Sequence, residues 1–284
     1  MGVWGKGLLC AASGLADRLR LFGVGDVHEV DRLGCTPLHV ASEKGDVKRV
    51  ALLLRSRGAS DVLNATDERG TTALHRASGF GHAEVVSVLL GAEGIDESLR
   101  MTDGDGRTPL HKACGYGRTE VVELLLRTGK VDVNALDGRG RTALHYAALN
   151  GHVDVVALLL AMPEIDVNRV DAKGLTALHW ACRAGFRAMD VAAALLADVR
   201  VHMNVKNLEG RTPLDEAENP MTDGFGTFYV QGEMHRRRVM LDKRISEAFR
   251  AAKRHRTALA LWTLKHTTLA PKEVHTHVVM LCIP

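Results

Sequence analysis

The chain has 284 residues, of which 46% are hydrophobic, 25% charged and only 4% aromatic, which is typical of a globular protein and excludes disordered and collagen-like classes. The 37 Lys+Arg and 34 Asp+Glu residues leave a net charge of +3, too small to indicate a nucleic-acid-binding protein by itself. Five scattered cysteines without a CxxC pair exclude a disulfide scaffold and favour a reducing intracellular compartment.

Residues 1–30 begin the chain with a short apolar segment at residues 8–12. This segment resembles a weak signal peptide, but charged residues follow soon after it, from Asp17 on. We expect instead a degenerate capping unit at the N-terminus. The longest apolar run of the chain, residues 155–162, is far shorter than the roughly 18 residues of a membrane-spanning helix, so we expect no transmembrane segment.

A repeated tetrapeptide organises residues 31–218. Thr-(Pro/Ala)-Leu-His occurs five times, and Thr-Pro-Leu-Asp forms a sixth copy. The spacing between successive copies is 34 or 36 residues, and the copies begin at Thr36, Thr72, Thr108, Thr142, Thr176 and Thr212. Such a fixed period indicates a repeat protein whose units, starting near residues 31, 67, 103, 137, 171 and 207, stack on one another.

Each copy lies in the same local pattern. An Asp or Asn precedes the Thr by five residues and a Gly precedes it by two, while in five copies another Gly follows it by nine. Thr caps a helix start and Pro is tolerated at the first helical position, so the tetrapeptide predicts a helix that the later Gly ends. Paired Val and Leu residues predict a second helix, and Asp-x-x-Gly predicts a tight loop. The predicted fold is all-α, a solenoid of stacked helix pairs with projecting hairpin-like loops.

Two copies depart from this pattern. In the fifth, the pair Leu195-Leu196 comes two residues late relative to Gly185, which predicts a longer or bulged second helix. In the sixth, Asn219 and Pro220 stand where a helix-ending Gly is expected. We therefore end the repeats at residue 218.

The pattern closely resembles the ankyrin repeat family. Residues 137–148, DGRGRTALHYAA, continue to Gly151-His152 and Val155-Val156 and match that family nearly throughout. The resemblance implies a non-enzymatic protein interaction module, with tetrapeptide histidines that bond backbone groups between units. No nucleophile, base and orienting group stand together in the sequence, so we expect no catalytic residue, no metal site and no cofactor.

The resemblance also implies a concave binding surface, with variable recognition positions before the Thr, after the His and before the helix-ending Gly. At or beside these positions four of the aromatic residues lie among Arg and Lys, which predicts a groove for an acidic, apolar-containing peptide or protein. The alternative is that they are ordinary exposed residues under no packing constraint. The predicted partner-binding residues are Arg69, Arg76, Phe80, Arg107, Lys112, Tyr116, Arg139, Arg141, Tyr146, Asn150, Lys173, Trp180 and Arg183.

The C-terminal part is predicted as a linker or irregular cap (219–232), a basic amphipathic helix (233–266) and a tail (267–284). The helix carries one apolar stripe among many cations. It is expected to close the end of the solenoid, and the alternatives are calmodulin docking, acidic-lipid binding and nuclear import. Its basic residues are Arg236, Arg237, Arg238, Lys243, Arg244, Lys253, Arg254 and Arg256.

The Asn residues of two Asp-Val-Asn segments, Asn134 and Asn168, resemble the asparagines that are hydroxylated in some ankyrin proteins, although this Asn also has a structural role in the loop. For the whole chain, we expect a monomeric cytoplasmic adaptor that binds a protein partner. The alternative is a nuclear or nucleic-acid-associated regulator that uses the basic helix.

Overall fold

In the computed structural model, the described residues are 30–56, 58–184, 188–218, 247–254 and 256. They fall into two compact units, the first ending at Asp132 and the second starting at Val133. The predicted capping unit, the linker at 219–232 and the tail lie outside the described residues. Within the described ranges every regular element is a helix, and none of these helices is long and apolar enough to cross a membrane.

The two units are built from short helices in the predicted order. The first unit contains α1 (Pro37–Lys44), α2 (Val47–Leu54), α3 (Ala59–Leu63), α4 (Ala73–Phe80), α5 (Ala83–Leu90), α6 (Ile95–Arg100), α7 (Pro109–Gly115) and α8 (Thr119–Arg127). The second contains α9 (Ala143–Asn150), α10 (Val153–Leu160), α11 (Ala177–Ala184), α12 (Met189–Ala197) and α13 (Pro213–Glu218).

The tetrapeptide forms a helix start, as its sequence predicts. Thr72 is the N-cap of α4 with extended backbone, and its hydroxyl accepts a hydrogen bond from the backbone N–H of His75. The Nδ1 atom of His75 accepts the backbone N–H of Thr72 at 3.2 Å, which completes a capping box. The same reciprocal pair begins α1, α7 and α9, so the histidine does at these starts what Glu or Gln does in other helices.

The same histidines connect successive repeats. Because Nδ1 accepts a hydrogen bond from the Thr N–H, the ring proton lies on Nε2. Nε2 then donates to the carbonyl just before the next Thr: His39 to Thr71 at 2.9 Å and His75 to Arg107 at 2.9 Å in the first unit, and His145 to Leu175 at 3.0 Å in the second. The histidine-to-backbone hydrogen bonds between repeats that the family resemblance implies are therefore present.

A glycine ends the first helix of the pair in three of the repeats. Gly45, Gly81 and Gly151 have φ between 73° and 87°, the left-handed conformation that is strained for other residues. The prediction of a longer or bulged second helix in the fifth repeat stays a prediction, because α12 is one residue longer than α10 and residues 185–187 lie outside the described residues. Helix α12 has nine residues, as α8 has, and it starts four residues after Gly185, whereas α10 starts two after Gly151.

Stacking of the helix pairs forms the core of each unit. The tetrapeptide leucines Leu38, Leu74, Leu110, Leu144 and Leu178 are at most 2% exposed. The loops stack as well, because the backbone N–H of Gly104 donates to the Arg69 carbonyl at 2.7 Å and that of Ala172 donates to the Arg139 carbonyl at 3.0 Å. Each loop is thus held against its neighbour and presents its side chains from a fixed backbone.

Residues 247–254 are helical and belong to the second unit. Phe249 is 9% exposed. The Arg256 guanidinium donates to the carbonyls of Val201 and Asp198, both at 2.8 Å, just after the end of α12. The closure of the solenoid end by this helix stays a prediction, and Arg236, Arg237, Arg238, Lys243 and Arg244 lie outside the described residues.

Candidate functional site

The first unit contains an open groove of about 740 Å³ between the loops and first helices of its second and third repeats. Six of the predicted partner-binding residues line it together: Arg69, Arg76, Phe80, Arg107, Lys112 and Tyr116. The other seven lie in the second unit. The groove also contains residues that were not predicted, among them Glu43, Asp105 and Arg118.

Two aromatic rings are exposed in this groove. Phe80, the last residue of α4, is 51% exposed, and Tyr116, which follows α7, is 60% exposed. The Phe80 ring stacks parallel to the His82 ring, with centroids 6.3 Å apart. Tyr116 lies over Gly79, where an added Cβ atom would be 3.6 Å from the ring. Large apolar surfaces of this kind, exposed within a concavity, are typical of binding sites.

Three of the groove cations are paired within the protein. Arg76 binds Asp67 at 2.6 Å and also Glu43, and Lys112 binds Asp103 at 2.7 Å. Arg107 binds Asp103 at 3.0 Å and also Asp105. These pairs account for all four carboxylates of the groove lining.

The pKa values of the two buried loop aspartates reflect this pairing. Burial alone would raise the pKa of the Asp67 carboxyl, but the Thr71 hydroxyl and the Arg76 guanidinium donate to it and hold that pKa below its usual range. Burial likewise opposes ionisation of Asp103, but the ammonium of Lys112 and the backbone N–H of Arg107 lower its pKa. Both loop carboxylates therefore stay charged and bound to their cations at neutral pH.

Arg69 and Arg118 differ from the other groove cations. Both side chains are exposed, and among the described residues neither forms an ion pair. Arg118 donates through Nε to the Gly79 carbonyl at 3.0 Å. Arg118 was missed in the sequence because it stands where the neighbouring repeats have His82 and His152, and that difference between aligned repeats was the available signal.

In the second unit, the predicted aromatic residues are hydrogen-bonded to loop aspartates. The Tyr146 hydroxyl donates to Asp137 at 2.7 Å and the Trp180 indole N–H donates to Asp171 at 3.0 Å. The Arg141 guanidinium lies 4.4 Å from the centre of the Tyr146 ring, and that of Arg183 lies 5.4 Å from the Trp180 ring. Arg139, Asn150 and Lys173 are exposed. Their role in binding stays a prediction.

One contact recurs from the second repeat to the sixth: the loop Asp or Asn binds the side chain nine residues later. The four aspartates pair with donors of different chemistry, namely Arg76, Lys112, Tyr146 and Trp180. In the sixth repeat the polarity is reversed, because Asn207 Nδ2 donates to Glu216 at 2.7 Å. The residue that follows the tetrapeptide therefore holds the loop in place in each of these repeats.

The side-chain amides of Asn134 and Asn168 each donate one hydrogen bond and accept another. Asn134 donates to the Glu164 carbonyl at 2.7 Å and accepts the Asp166 N–H at 2.8 Å. Asn168 donates to the Arg200 carbonyl and accepts the His202 N–H. The structural role of this Asn is thus present, while its hydroxylation stays a prediction.

The described residues offer no exposed cluster of cysteine thiols or metal-ligating side chains. Burial raises the pKa of the Cys182 thiol to about 12, and Cys114 is fully buried as well. Among the described residues, no three His, Cys, Asp or Glu side chains are grouped so as to hold a metal ion.

Comparison with known families agrees with this architecture. Family models described as ankyrin repeats match residues 8–101 and 93–171 in one case and residues 151–196 in another. No curated protein matches the chain. Ankyrin repeats serve as protein interaction modules, and the match covers more than half of the sequence. The chain therefore belongs to the ankyrin repeat family.

Proposed function

We propose that this protein is a non-enzymatic adaptor of the cytoplasm or nucleus, which binds an acidic, apolar-containing segment of a partner protein in the groove of the first unit. The observation that carries the proposal is the position of Phe80 and Tyr116. Both rings are at least half exposed and stand in one groove with five cationic side chains. Aromatic and Arg side chains are the usual energetic centres of protein interfaces.

A displayed library of random 12-residue peptides tests this proposal. We expect the full chain to select peptides that combine a large apolar residue with Asp or Glu. The double variant Phe80→Ala/Tyr116→Ala should select far fewer, because both exposed anchors are removed while the core leucines stay in place. A matched control, Val170→Ala, changes another exposed apolar residue, 43% exposed, in the second unit and should select as the wild type does.

Two results would contradict the proposal. One is a selection that survives removal of both rings, and the other is enrichment of basic peptides. Nucleic-acid binding through the basic helix gives a third pattern: affinity for a labelled DNA duplex that falls steeply between about 50 and 200 mM salt. We expect no such affinity.

A further inference from the structure

The charges of the groove divide into a neutralised set and an available set. Arg76, Arg107 and Lys112 contact all four carboxylates of the lining. The side chains of Asp67 and Asp103 are only 2% exposed. A ligand carboxylate that replaced either of them would leave a buried charge without its partner, which is strongly unfavourable. The paired cations are therefore poor ligands for an acidic partner.

Arg118 is available because it replaces a histidine. In the preceding repeat, Nε2 of His82 donates to the Glu43 carbonyl at 2.8 Å. Arg118 makes the equivalent bond with Nε to the Gly79 carbonyl at 3.0 Å. A neutral histidine ring has only one N–H, and that contact occupies it. A guanidinium still has the N–H groups of its two terminal nitrogens, and within the described ranges these have no partner. The substitution thus adds a directed cation beside Phe80.

Arg69 is available for a different reason. Its backbone N–H donates to Asp67 Oδ1 at 2.9 Å and its carbonyl accepts the Gly104 N–H at 2.7 Å. The loop therefore fixes the backbone of Arg69 on both sides, while its side chain is exposed and forms no ion pair with the described residues. A cation on a fixed backbone loses less conformational entropy when it binds an anion.

Arg69 and Arg118 stand at opposite ends of α4. Arg69 lies in the loop before the helix, and Arg118 is bonded to the carbonyl of Gly79 near its end. A helix of eight residues is roughly 12 Å long at 1.5 Å per residue. An extended peptide covers that distance in about four residues.

We propose that Arg69 and Arg118 are the specificity-determining residues of the groove, and that its ligand is an extended segment with two carboxylates about four positions apart and a large apolar residue between them. This inference rests on the proposed function and deepens it. Arg76, Arg107 and Lys112 act as positioning residues that hold the loops. The apolar residue of the ligand contacts Phe80 and Tyr116.

The same displayed library tests this assignment through position-specific preferences. The two variants are Arg118→His, which restores the residue of the neighbouring repeat, and Arg69→Gln. Each should keep selecting the apolar residue but lose the preference for Asp or Glu at one side of it, by about five-fold, the scale of an exposed ion pair. The control Arg127→Gln removes an exposed cation that pairs with Glu123 outside the groove, and it should leave both preferences unchanged.

The outcomes separate this inference from the proposed function. If both variants keep the two acidic preferences while Phe80→Ala/Tyr116→Ala abolishes selection, the assignment is wrong and the groove still binds peptides. If the wild type selects no peptide, the proposed function fails and the assignment fails with it. Far-UV circular dichroism of each variant shows whether the fold is retained.

Discussion

The buried histidines that connect successive repeats are held in their neutral form by their hydrogen bonds. His39, His75, His145 and His179 each place Nδ1 against a backbone N–H and Nε2 against a carbonyl. A second ring proton would remove the acceptor at Nδ1. Burial accordingly lowers the pKa of all four, that of His75 to about 4.

This arrangement predicts acid sensitivity of the fold. In the unfolded chain these four histidines take up protons near pH 6.5, whereas in the folded chain each stays neutral until the pH reaches its lowered pKa, which for His75 is about 4. The unfolded state therefore binds more protons in this window. The free energy of unfolding should fall through that window as the pH falls, by about 1.4 kcal/mol per pH unit for each histidine that stays neutral. Below it, the lowered pKa values of Asp67, Asp103 and Asp137 extend the loss.

Urea unfolding from pH 8 to pH 4 measures this dependence. The variant His75→Gln keeps a side chain that can complete the capping box, and it should show a smaller slope by about one proton. A stability that is flat between pH 6.5 and pH 4.5 would contradict the neutral-histidine account.

The two tyrosines among the predicted partner-binding residues give a matched pair of substitutions. Tyr146→Phe removes a hydroxyl that donates to the buried Asp137 carboxylate and should lower the free energy of unfolding by about 1 kcal/mol. Tyr116→Phe removes the hydroxyl of a ring that is 60% exposed and should change it by less than about 0.5 kcal/mol. Equal effects in urea unfolding would show that the loop pair contributes nothing.

At the scale of elements, the C-terminal helix acts on the end of α12. The guanidinium of Arg256 donates to the carbonyls of Asp198 and Val201, in the turn that follows α12 and in which the Val201 N–H also donates to the Asp198 carbonyl at 3.2 Å. We expect Arg256→Ala to speed amide hydrogen exchange in residues 195–201 and 247–254. Arg250→Ala, an exposed cation of the same helix, should leave exchange there unchanged. Unchanged exchange in both variants would show that the helix is held independently of Arg256.

The helices could be predicted from the sequence because their signals are local. The capping Thr, the αL glycine and the apolar stripe each act within a few residues of the helix they define. The pairing of Arg76 with Asp67 could not be predicted in the same way, since it joins a loop to a helix nine residues later and its partner chemistry changes from repeat to repeat. Six of the predicted partner-binding residues line the groove of the first unit, but the carboxylate partners of Arg76, Arg107 and Lys112 were not predicted from the sequence.

At the scale of the whole molecule, the number and order of the repeats followed from the period, whereas the division into two units did not. The boundary between Asp132 and Val133 falls inside a segment, Asp132-Val133-Asn134, whose counterpart at residues 166–168 has the same sequence. Identical local sequence carries no signal for a boundary. In a repeat array each repeat contacts mainly the repeats next to it. Binding to repeats of the first unit should therefore perturb the first unit most.

The most direct test of the account is a titration of the ¹⁵N-labelled full chain with a peptide selected from the library, followed by amide chemical shifts. We predict that the perturbed amides cluster in residues 67–82 and 103–118, with the largest changes near Phe80 and Tyr116. Perturbations confined to the second unit or to residues 247–256 would contradict the assignment of the binding site to this groove.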